Sequence, residues 1–191
     1  MKSVDPIRLR SHVQAIGRFL KSWDWRYYLM FAVGVHTGLR ISDILPLRFG
    51  DFIKEYQSGR RRWAERLLIR EKKTRKHRKE RSILIRGTAL GSIVRETLKP
   101  ITRWNLNDYV FLSHKKDDGL ERPFGRWTAY HVLRVAGDRC GLEEQLGTHS
   151  MRKTFGYHFY RETKDVAERV DWPLEKICQV CEGKKTQFSG D

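Results

Sequence analysis

A chain of 191 residues with 39 Lys and Arg against 23 Asp and Glu carries a formal charge of +16. That excess points to a polyanion, nucleic acid by default, rather than to an acidic small molecule; a basic ribosomal, RNA-binding or membrane-surface protein is the plainer alternative. Six Trp, nine Phe and seven Tyr argue against wholesale disorder, no apolar run approaches the roughly 18 residues of a membrane span, and three Cys with no regular framework suit a reducing, intracellular setting.

In chain order, Pro6 to about Trp23 reads as a helix, with Val13, Ile16, Phe19 and Leu20 at helical spacing and Pro6 in its first turn. Asp24 is placed to cap a second helix that stops at Gly38. Ser42 is placed to cap a short third helix, limited by Pro46. Residues 49–86 hold short apolar pieces, Phe49–Ile53, Leu67–Ile69 and Ile83–Ile85, separated by polar segments. They read as a small antiparallel sheet of two or three strands, with the basic stretch 72–79 as a hairpin arm. Thr88 caps a helix to Leu98, before Pro100. Helices are also expected from Trp127 to about Arg139, from Thr148 or Ser150 onward, and around Asp165–Val170. The fold class is therefore mainly α with a small antiparallel β-sheet.

Cationic side chains dominate the candidate chemistry. Arg40 lies between a helix stop and a helix start; on local pattern it reads equally as an anion ligand or a surface arginine. Asp43, three residues on, can orient that guanidinium or act as an ordinary cap. His149 and Arg152 share a helical face, so one phosphate can meet both an imidazole and a guanidinium. Lys72, Lys73 and Lys76 sit in the hairpin arm, within reach of a leaving oxygen or a DNA backbone. Cys178 and Cys181 form a lone Cys-x-x-Cys without the four ligands of a structural zinc site. No Walker or dinucleotide fingerprint occurs, and carboxylates are not clustered as two-metal chemistry needs.

Three segments together resemble the catalytic domain of the tyrosine recombinases, or phage-type integrases. They are Thr37-Gly38-Leu39-Arg40-Ile41-Ser42-Asp43-Ile44-Leu45, the lysine-bearing segment 73–85, and His149-Ser150-Met151-Arg152-Lys153-Thr154-Phe155-Gly156. The resemblance covers about residues 6–163 and implies that family's catalytic-domain fold over 1–167, followed by a divergent tail, 168–191. It implies that Arg40 and Arg152 clamp the scissile phosphate, that Lys73 protonates the departing 5′ oxygen (Lys76 being the alternative), and that His149 supports phosphate binding and proton handling. Asp43 would support the first arginine. Lys72, Arg75, Lys76, Arg78 and Lys153 are the expected DNA contacts. The implied partners are double-stranded DNA and a recombinase oligomer, in a bacterial cytoplasm, with no metal, cofactor or membrane.

The pattern departs from the family in two places. The chain begins at the catalytic domain, without the N-terminal DNA-clamping domain that members usually carry. After Ala167 the expected histidine or tryptophan turn and nucleophilic tyrosine are not recognisable; Trp172 is a poorly spaced stand-in, and no tyrosine follows Tyr160. Tyr157 and Tyr160 read as packing and surface aromatics. The expectation is DNA binding without a covalent phosphotyrosine, with a non-catalytic DNA-binding remnant or regulator as the alternative.

Overall fold

The computed structural model describes residues 4–70, 80–113, 121–143 and 145–163. Its elements are α1 (Arg10–Trp23), α2 (Trp25–Thr37), α3 (Ile41–Ile44), α4 (Phe49–Phe52), β1 (Ile53–Glu55), β2 (Arg61–Trp63), β3 (Arg66–Arg70), β4 (Glu80–Leu84), α5 (Ala89–Leu98), α6 (Arg126–Arg139) and α7 (Thr148–Thr163).

The organising element is α2. Leu29, Met30, Phe31, Ala32, Val33 and Gly34 are all buried in it, and a helix that is apolar on most sides belongs inside a core. Helices α1, α5 and α7 pack around it. The face of α1 that carries Ile16, Gly17 and Leu20 is buried, as are Leu90, Val94 and Leu98 of α5. Close approach of α2 and α7 depends on a missing side chain: a Cβ on Gly34 would lie 2.6 Å from Met151 Sδ. Helix α6 adds Ala129, Val132, Leu133 and Ala136 to the same core.

The caps form largely as the sequence predicts. Asp24 Oδ1 accepts from Arg26 N at 2.8 Å, Thr88 Oγ1 accepts from Gly91 N at 3.1 Å, and Gly38 closes α2 at φ +62°. Three boundaries differ from expectation. Helix α1 begins at Arg10, because residues near Pro6 serve α7 instead: Ile7 N donates to Thr154 Oγ1 at 2.9 Å, and Ile7 is buried. Arg40, not Ser42, is the N-cap of α3, since buried Leu39 and Ile41 fix the chain two residues earlier. Phe49–Phe52 is a helical turn and not a strand; Asp51 Oδ2 accepts from Arg48 N at 2.7 Å, and Phe49 stacks on Trp104.

The β region is two ladders, not one small sheet. β1 pairs antiparallel with β2, and β3 with β4 through Leu67↔Ile83 and Ile69↔Arg81. Leu67 and Ile69 are buried while Leu68 is exposed, the period-two signature of a strand with one face on a core. The expected hairpin arm (residues 72–79) and the expected helix around 165–170 lie outside the described residues.

Candidate active site

The site is built on the turn that ends α2. Thr37 Oγ1 donates to Val33 O at 2.6 Å and accepts from Leu39 N at 3.2 Å. Gly38 then takes the left-handed conformation that a side chain disfavours. The chain emerges extended at Arg40, whose carbonyl accepts from Asp43 N and Ile44 N at 2.8 and 3.1 Å to start α3. Leu39 and Ile41 are both buried, so the backbone on each side of Arg40 is anchored while Arg40 itself keeps partial solvent access. Asp43 is buried in the same turn.

Arg152 reaches this turn from the first half of α7. Its Nη1 donates to Gly38 O at 2.8 Å, and the residue is only 8% exposed. A buried guanidinium needs such partners, because desolvating a charge without them is costly. Helix α7 opens beside it, where Ser150 Oγ accepts from Gly147 N at 3.1 Å and Ser150 N donates to Gly147 O.

His149 reports how these cations converge. Its imidazole is held below the ordinary histidine range, first by desolvation of the ring and then by the charges of Arg152, Arg40, Lys153 and Arg126. The residue as a whole is exposed, so an incoming group can reach it. The arrangement favours the neutral imidazole. An arriving anion shifts the balance back toward imidazolium, because it offsets the surrounding positive charge.

Arg40 is thus brought close to His149 and Arg152, more than a hundred residues further along the chain, and Lys153 joins them. Lys72, Lys73, Arg75, Lys76, Arg78 and Trp172 lie outside the described residues. Tyr157 Oη accepts from Arg161 Nη1 at 3.1 Å, and Tyr160 is 49% exposed. At 1.5 Å rise per residue, they lie roughly 8 and 12 Å along α7 from Arg152. Among the described residues no group of His, Cys, Asp and Glu is arranged to hold a metal, and no helix is long and apolar enough to cross a membrane.

Two participants escape a sequence reading based on motifs. Arg126, first residue of α6, contributes its charge to His149; nothing in its neighbourhood singles it out among so many arginines. Arg81 of β4 donates from Nη2 to Thr37 O at 3.0 Å. Its signal is the alternation Arg81, Ile83, Ile85, which places an arginine on the inward side of a strand.

The family model described as the phage integrase family matches residues 8–173. A Bacillus subtilis protein described as "Probable integrase/recombinase YoeC" is 41% identical over 168 residues, covering 88% of this chain and 81% of that one. Among solved structures, XerA recombinase superposes with a TM-score of 0.59 at 19% identity, over 94% of this chain and 55% of its own. Lambda integrase bound to DNA gives 0.58 at 12% identity, over 85% and 54%. This chain therefore spans about half the length of those two recombinases, and at such identities their likeness concerns the fold.

Proposed function

As this chain belongs to the phage integrase family, we propose that it is the DNA-binding catalytic domain of a site-specific tyrosine recombinase. The observation that carries this reading is the convergence of Arg40, Arg152 and His149 on the Gly38 turn. Two guanidiniums can each offer paired N–H donors to the non-bridging oxygens of one phosphate. Their charge is worth most in the transition state, where negative charge accumulates on those oxygens. Double-stranded DNA is the polyanion that suits a charge of +16, and DNA is what the solved lambda integrase holds.

In the reaction of this family a tyrosine oxygen forms a bond to phosphorus as the bond to the 5′ oxygen breaks. Lys73 supplies the proton that this oxygen takes, with Lys76 as the alternative, and His149 supports the phosphate. Asp43 supports the turn that carries Arg40. The bond energy is conserved in the 3′-phosphotyrosine, so no metal or high-energy cofactor is called for. Recombination also needs several protomers on DNA, so we assign the chain to such an assembly.

No tyrosine follows Tyr160 within these 191 residues. Tyr157 and Tyr160 share the helix of Arg152 and are poorly placed for in-line attack. The chain by itself therefore binds DNA without forming a covalent adduct. Incubation with nicked duplex substrates, denaturing electrophoresis and peptide mapping tests this. The reading expects no adduct from this chain and one after a C-terminal helix bearing a tyrosine is appended. An adduct at Tyr157 or Tyr160 would overturn it. The second reading, a DNA-binding regulator without chemistry, rests on the same missing tyrosine and gains if the extended chain also stays inactive while binding DNA.

A further inference from the structure

We propose that Arg81 is a positioning residue of the phosphate clamp, holding the backbone turn from which Arg40 and Arg152 are both set. The proposal rests on the reading of Arg40 and Arg152 as phosphate ligands.

Arg81 occupies an inward-facing position of β4, opposite Ile69 and two residues from Ile83. Neighbouring positions on that face are apolar, and Leu67 and Ile69 are buried. An arginine is costly there unless its donors are used. Its Nη2 donates to Thr37 O at 3.0 Å, across 44 residues of sequence. The next carbonyl along the chain, Gly38 O, accepts from Arg152 Nη1 at 2.8 Å. Two guanidiniums, one from a strand and one from a helix, therefore hold two consecutive carbonyls, and Arg40 follows two residues later.

Those carbonyls end α2. The last carbonyls of a helix have no partner within it and carry the negative end of its dipole, so they favour cationic donors. Thr37 is 1% exposed, so in the intact protein its carbonyl relies on protein donors such as Arg81. Losing that donor strands a buried carbonyl beside a glycine that tolerates other backbone conformations. The turn then relaxes, and Arg40 and the anchor of Arg152 relax with it. The cations whose charge depresses the His149 pKa are Arg152, Arg40, Lys153 and Arg126, and the contact of Arg81 with this turn is its hydrogen bond to Thr37 O.

Inorganic phosphate is the probe, titrated at low ionic strength into the full chain and followed at the His149 ring by NMR. Wild type, Arg152→Met, Arg81→Met and Arg81→Lys are compared below their melting temperatures. Arg81→Met and Arg81→Lys should each bind phosphate about tenfold more weakly than wild type, the size of one charge-assisted hydrogen bond. The lysine variant separates geometry from charge, because it keeps the positive charge but loses the planar fork. Wild-type affinity in Arg81→Lys would overturn the proposal, since charge alone would then suffice. Wild-type affinity in a folded Arg81→Met would overturn it as well, even if its melting temperature fell. Should Arg81→Met not fold, Arg81→Lys decides alone. Phosphate binding that Arg152→Met leaves untouched refutes the clamp itself; loss in Arg152→Met with both Arg81 variants intact refutes only the role of Arg81.

Discussion

Replacing Gly38 by alanine separates two costs that meet at the centre of the site. The first is conformational: at φ +62° an L-residue is disfavoured by about 1–2 kcal/mol. The second is steric: the new Cβ would lie 2.5 Å from Phe155 Cδ1, so the ring on α7 must move. Crowding of this kind in a packed region adds about 1–3 kcal/mol, for a total of about 2–5 kcal/mol. Gly59 supplies the control, with φ +73° in the β1–β2 turn and nothing within 4 Å of the place an alanine methyl would take. Gly59→Ala should therefore cost only the conformational part, about 1–2 kcal/mol. Urea denaturation of the two variants gives the difference directly, at least about 1 kcal/mol, which corresponds to a melting-temperature gap of roughly 2–4 °C or more. Gly38→Ala should also displace the NMR signals of His149, because Gly38 O anchors Arg152. Equal losses in the two variants would refute the claim that α7 closes directly onto this turn.

Other outcomes follow from the same geometry. Arg152→Met should raise the pKa of His149, because it removes the foremost of the charges that depress it; a histidine titration by NMR reads this. Sulfate, whose own charge does not change in this range, should bind the wild-type chain more tightly as pH falls through the His149 pKa, because bound anion favours imidazolium, and calorimetry across that range checks the sign. Thr154→Val should cost about 1–3 kcal/mol in a denaturant melt, since Thr154 Oγ1 accepts from Ile7 N and donates to Ser150 O at 2.7 Å inside the core. Duplex DNA binding should weaken steeply with salt, and Arg40→Met should make the log–log slope shallower by about 1, the share of one phosphate contact.

Much of the site is legible because its ligands sit beside strong local punctuation. Gly38 marks the end of α2, and it sets Arg40 just beyond a helix end whatever the tertiary packing. The spacing of His149 and Arg152 puts them on one face of any helix. What the sequence hides is tertiary. The start of α1 shifts because Ile7 is recruited by Thr154, a partner 147 residues away. Phe49 looks like strand, yet Trp104 and the Asp51 cap make it a helical turn. Arg126 and Arg81 are lost among 39 basic residues until the fold shows which backbone and which imidazole they reach.

The most direct measurement is a crystal structure of the full chain with a short DNA duplex. The account predicts one backbone phosphate within hydrogen-bonding distance of both the Arg40 and Arg152 guanidiniums, with the His149 imidazole beside it. A duplex seated on another face, or Arg40 and Arg152 contacting no common phosphate, would contradict it.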